Sequence, residues 1–231
     1  MFKNEDIISP ALLNYDVYNL YQSLGLSEEF RPIDFSVSIR GAVMSEDNVL
    51  TLDIKNLNKL FKTKNGESAK SNNELNIFLL FVVRHEVMHL YHRTRDPKSE
   101  NLEERKMLFI SKIQKIQDGY DKGHPSRHIA SHDCFPDEID ADLKAIELLS
   151  KCIIDEYGYT EFPIGIYEQK YEDRKQRAYK EIGVKSDDDL VMAVMKNALD
   201  SGRLSTDERE KLKQLIIEYE KLFGNGQPEK I

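Results

Sequence analysis

At 231 residues, 40% of them hydrophobic and 32% charged, the chain has the length and composition of one good-sized globular domain, or a compact domain with a smaller appendage. A net charge of −8 (33 basic against 41 acidic residues), with no clustered basic patch, argues against nucleic acid or acidic membranes as partners. The N-terminal MFKNEDIISPALLNY lacks the order of a secretory signal, the longest apolar run (Ile77 to Val83) is too short for a bilayer, and Cys134 and Cys152 stand at no metal-finger spacing, so a cytoplasmic protein with free thiols is expected.

Residues 11–25 carry apolar side chains near helical spacing and stop at Gly25, which predicts a short helix. After Pro32 the period changes. Phe35, Val37 and Ile39 alternate with Ser36, Ser38 and Arg40; beyond the turn-rich 45–48 tract, Leu50, Leu52 and Ile54 alternate with Thr51 and Asp53. A period of two marks half-buried strands, so 35–54 is expected to form a β-hairpin, with two unrelated short strands as the competing arrangement. The polar tract 62–73 reads as a surface loop.

Ser71 or Asn72 then stands where it can cap a helix over 73–95, apolar almost all round through Val83, as in a helix buried at the centre of a domain. Asp96–Pro97 ends it. An amphipathic helix over 100–118 turns Leu108, Ile110, Ile113 and Ile116 inward, and a loop with Gly119, Gly123 and Pro125 follows. The next helix, 136–157, opens with Pro136, Asp137 and Glu138 and closes at Gly158. Beyond Pro163 helices are expected at 165–182, 187–200 and 205–223, the last begun by a capping box of Ser205 and Glu208. The fold class is therefore α+β: mostly helical, with a small hairpin packed on a buried central helix. The expected division is a domain at 1–160 and a helical extension at 161–231.

The central helix carries the chemistry. Within RHEVMHLYHR (84–93), His85, Glu86 and His89 spell H-E-x-x-H. Residues four apart on a helix share a face, with Cβ atoms about 5–6 Å apart. His85 and His89 can thus hold one metal ion, and Glu86 can reach a water bound to it. This is the zinc-peptidase arrangement of two imidazole ligands and a general base.

A catalytic zinc site usually takes three protein ligands. His92 shares the face but lies about 10 Å along the axis from His85, too far for an ion held midway between His85 and His89. His124, His128 and His132 are four apart, but Gly123 and Pro125 interrupt them and the segment reads as a loop. Glu138 is the favoured candidate. It begins a stripe with Asp142, Ala145, Leu149 and Cys152, and small Ala141 and Ala145 permit the close approach that a shared metal requires. Asp142 would accept the free N–H of a ligating histidine. An exposed acidic first turn that only complements the helix dipole competes with this reading.

H-E-x-x-H on one helix and E-x-x-x-D on a later one resembles the gluzincin peptidases. EIDADLKAIELL (138–149) is similar to the E-x-E-A-x-x-F-A-x-x-L-L helix of ImmA/IrrE-like metallopeptidases and other minimal gluzincins. Over about 35–157, the resemblance implies a zincin-like fold with zinc held by His85, His89 and Glu138, Glu86 as general base and Asp142 as the supporting acid. The chain departs from the pattern in three ways. Lys144 stands where the family commonly has an aromatic residue, the linker between the motifs carries its own helix, and no helix-turn-helix module is evident.

The expected activity is zinc-dependent endopeptidase cleavage of a protein or peptide substrate. His132, Tyr167 and Tyr171 are candidates for stabilising the oxyanion. A non-catalytic, metal-stabilised protein-binding module is the main alternative, and Glu86 argues against it because a purely structural site has no use for a base. A helical interaction protein with a fortuitous motif would need two accidents. A zinc deaminase is disfavoured by the absence of P-C-x-x-C.

Overall fold

The fold is described from a computed structural model, which describes residues 7–36, 42–45, 47–95, 98, 100–121, 135–155, 169, 172–173, 175–177, 179–180, 182–200, 202 and 204–223. Seven helices and two strands are named here: α1 (Pro10–Ser23), β1 (Ala42–Met44), β2 (Leu50–Leu52), α2 (Leu57–Asn65), α3 (Asn72–Arg93), α4 (Leu102–Asp121), α5 (Pro136–Asp155), α6 (Asp187–Asp200) and α7 (Thr206–Phe223). The described residues between 169 and 182 are also helical. Among the described residues, the fold is thus mostly helical with one small sheet, an α+β arrangement, and no helix is long and apolar enough to cross a membrane.

Two compact units result, one of Met1–Tyr91 with Ala141–Ile164, the other of His92–Asp140 with Gly165–Ile231. Helices α3 and α5 each run unbroken through the division.

The first unit is built around α3. Phe78, Leu79, Leu80, Val83, Val87 and Leu90 are buried there, joined by Leu13, Val17, Leu20 and Tyr21 of α1 and by Leu149 of α5. Ser9 caps α1 by accepting the Leu12 N–H, Pro10 fills its first turn, and Gly25 follows it with φ 71°. The sheet is an antiparallel hairpin with Ala42 opposite Leu52 and Met44 opposite Leu50. Its buried positions alternate, as a one-faced strand pair requires. Asn48, in the left-handed region at φ 60°, closes the turn. The second strand lies where the alternation predicts, although Ile54 begins a 3-10 turn instead of continuing it. Val37 and Ile39 lie outside the described residues, and the segment opposite β2 is Ala42–Met44; the backbone of Asp34 pairs with β2 in parallel.

The expected loop at 62–73 needs correction, because α2 occupies its first four residues. Leu57, Leu60 and Phe61 recur at helical spacing and pack into the core, and Gly66 ends the helix at φ 81°. Composition had hidden this turn. The polar residues after Phe61 are the solvent side of a helix end. Ser71 caps α3, accepting from the Glu74 N–H, while the Glu74 carboxylate accepts from the Lys70 N–H.

In the second unit, Phe109, Ile110 and Ile113 of α4 pack with Leu190, Val191, Val194 and Met195 of α6 and with Leu212 and Tyr219 of α7. The capping box of α7 is formed as predicted, Ser205 Oγ accepting from the Glu208 N–H and Glu208 accepting from the Ser205 N–H. Acidic residues opening α6 bind distant partners. Asp187 accepts from Tyr179 and Lys175, and Asp188 from Tyr219 and Lys106. Burial, then the bond to Asp187, raises the Tyr179 hydroxyl above the usual phenol range.

A buried ion pair ties α1 to α3. Arg84, 1% exposed, donates to both oxygens of Asp16 at 3.0 and 3.1 Å and to the Leu80 carbonyl. Removing the acid would leave a guanidinium in the core without its counter-ion. Asp16→Ala is expected to lower the unfolding free energy by about 3–5 kcal/mol in a urea titration; a loss below 1 kcal/mol would show that the pair is dispensable.

Candidate metal centre

After an apolar stretch from Ile77 to Val83, α3 carries Arg84, His85, Glu86, His89 and His92 within about three turns. Arg84 belongs to the ion pair just described. The others are oriented by specific partners.

His85 is held by α5, with Nδ1 2.7 Å from Oδ1 of Asp142. This is ion-pair range, and the ring's other nitrogen is Nε2. That nitrogen converges on Nε2 of His89, one turn further along, at 3.1 Å. Two imidazole nitrogens this close are stabilised by a proton or a cation between them. Ala141 and Ala145 are fully buried, and their small side chains allow the approach that brings Asp142 to His85.

Glu86 turns toward the hairpin. Its Oε2 accepts the Met44 backbone N–H at 2.8 Å, which orients the carboxylate and leaves lone pairs on the other oxygen to receive a proton.

The acidic first turn of α5 is not a solvent face. Asp137, Glu138 and Asp142 are 2%, 6% and 7% exposed, so the exposed-turn alternative does not hold. Buried carboxylates require compensating positive charge or hydrogen bonds. Glu138 precedes Asp142 by one turn on the same helix. His85 and His89 offer imidazole nitrogens, and Glu138 a carboxylate oxygen, as ligand atoms. Two imidazoles and a carboxylate are a donor set that divalent transition metals accept.

His92 is bonded differently. Its Nδ1 lies 2.6 Å from Oδ1 of Asp137 and its Nε2 lies 2.8 Å from Oδ2 of Asp140. Both nitrogens therefore donate, and neither has a lone pair for a metal. Burial by itself would lower the His92 pKa; the hydrogen bonds and charges of the two aspartates together outweigh it and raise the value.

His124, His128, His132, Tyr167, Tyr171 and Cys134 lie outside the described residues. Lys144, at the departure from the gluzincin pattern, is exposed and lies 3.3 Å from Glu147. The partners of His92 were not anticipated. Asp137 and Asp140, three apart on one helix face and flanking Glu138, were the available signal. Neither was the Met44 N–H contact to Glu86, since a backbone donor leaves no trace in the side-chain pattern. Comparison with known proteins returns no matching family model, no matching curated protein and no matching solved structure.

The two carboxylates around His92 impose a pH dependence. A folded-state pKa raised above 6.5, the ordinary histidine value, contributes stability that is complete below that pH and is lost as pH rises through the folded value. In metal-free protein, unfolding free energy from urea titrations is expected to fall with pH above 6.5, and His92→Gln to flatten that slope. An unchanged slope in the variant would assign the effect to another group.

Proposed function

We propose that the chain is a zinc-dependent endopeptidase, resembling the gluzincins, with His85, His89 and Glu138 as metal ligands and Glu86 as general base. The observation that carries this reading is the convergence of His85 Nε2 and His89 Nε2 at 3.1 Å, with the Asp142 carboxylate 2.7 Å from Nδ1 of His85. A ligating histidine ordinarily donates its other N–H to a carboxylate or carbonyl, and Asp142 is the carboxylate beside Nδ1 of His85.

When bound, zinc would supply Lewis acidity toward the scissile carbonyl and bring the pKa of a bound water toward neutrality. The rest falls to the chain. Glu86 takes the proton of the attacking water and returns it to the leaving amine. Its bond to Met44 restricts the carboxylate to a narrow range of orientations, as efficient proton transfer requires. Asp142 keeps the His85 proton on Nδ1 throughout. The substrate adds as an extended strand along the outer edge of β1, where main-chain hydrogen bonds would align a peptide whatever its side chains. Two observations favour β1 over β2: the free side of β2 is taken by Asp34, and β1 donates the N–H that orients Glu86.

Two variants test the assignment on protein loaded with zinc. Glu86→Gln keeps size and hydrogen bonding but removes the base. It is expected to lower the rate of peptide cleavage by about 10²–10⁴-fold while zinc content stays at the wild-type level. Full activity in this variant would remove Glu86 from the mechanism. Asp142→Ala is expected to weaken zinc binding by about 10–100-fold in chelator competition. Unchanged affinity would mean that the His85 tautomer does not depend on Asp142.

A further inference from the structure

We infer that His92 is a positioning residue: by bonding Asp137 and Asp140 it clamps the first turn of α5 and so presents Glu138 for metal binding. The inference rests on the metal reading above and extends it to a residue that is not itself a ligand.

The first turn of a helix is where N–H groups lack intrahelical partners and where helices fray. Here it opens on Pro136 and is closed by the Ile139 N–H bonding to the Phe135 carbonyl. Glu138 sits inside that turn. A carboxylate at Asp137 would ordinarily turn back to the free N–H groups of its own helix. Instead it bonds His92 at 2.6 Å, and Asp140, one turn on, bonds the opposite side of the same ring at 2.8 Å. The ring is thus anchored on both edges and spans the residues on either side of Glu138. His92 and Asp137 are almost fully buried, with side chains 4% and 3% exposed, so the bond between them is shielded from competing water, while Asp140 is 34% exposed. The arrangement also keeps His92 from becoming a competing ligand, because both of its nitrogens are engaged.

Zinc dissociation constants from chelator competition on the full chain test the clamp. His92→Ala is expected to weaken binding by about 10–100-fold. His92→Gln, which can still donate to one aspartate, is expected to fall between it and the wild type. Leu212→Ala, a buried apolar truncation in α7, serves as the stability control: its melting temperature should drop while its zinc affinity stays within about twofold. An affinity for His92→Ala within twofold of wild type overturns the clamp, as does an equal loss in Leu212→Ala. Should His92→Ala fail to fold, Asp140→Asn tests the same bond from the more exposed side; the clamp requires a weaker but measurable loss, and an unchanged constant overturns it. A wild-type protein that takes up no zinc overturns the metal reading itself, and that result is distinct from zinc-binding wild type with an indifferent His92 variant.

Discussion

The close contact between His85 and the Asp142 carboxylate is the constraint on which the candidate centre depends. A neutral imidazole has one donor and one acceptor nitrogen, and which is which follows from its neighbours. Asp142 lies 2.7 Å from Nδ1 of His85, and the ring's other nitrogen meets Nε2 of His89 at 3.1 Å. The contact also needs the two helices close together, which small side chains beside it permit. The buried Ala141 and Ala145 beside Asp142 are thus part of the same device.

Burying charge is costly, and the chain does it repeatedly near one segment. Each instance is compensated by a partner of fixed geometry. Arg84 faces both oxygens of Asp16, His85 faces Asp142, and His92 faces Asp137 and Asp140. Such pairs add little net stability compared with well-packed apolar residues, and losing one partner is expensive. What they supply is a single allowed arrangement. Arg84 immediately precedes His85, so the ion pair to α1 also fixes the rotation of α3 at the turn where its histidines begin. A core of Leu79, Val83 and Val87 alone would tolerate small rotations of the helix; the polar partners do not.

Much of this was legible in the sequence, for physical reasons that differ by element. α3, α4 and α5 announce themselves by long apolar periodicity, by caps at Ser71 and Pro136, and by Asp96–Pro97 as a stop signal. Gly25 and the Ser205–Glu208 box marked their helix ends because local chemistry is read within four residues. α2 was missed since its few apolar residues, Leu57, Leu60 and Phe61, adjoin a polar run whose composition suggests a loop. The turn between the strands was legible, whereas the strand opposite β2 was less so, because a three-residue strand supplies hardly one full period. In the centre, the spacing of His85, Glu86 and His89 and the stripe of Glu138 and Asp142 could be read directly. The Met44 contact could not, since it depends on where a backbone N–H lands in three dimensions.

His85, His89 and His92 lie along one face of α3, and in the sequence only its distance along the axis sets His92 apart. The difference is set by α5, through the number of carboxylates each ring meets. His85 meets one aspartate, at Nδ1, and its Nε2 faces His89. Two aspartates leave His92 with no lone pair, so it can only bind acids. The alternation Asp137, Glu138, Asp140, Asp142 therefore does two jobs on one helix: one pair of acids immobilises His92, and the other stands at the two histidines that precede it. A lysine could neutralise these acids, but its ammonium is a single point charge, whereas the flat imidazole bonds one aspartate on each edge.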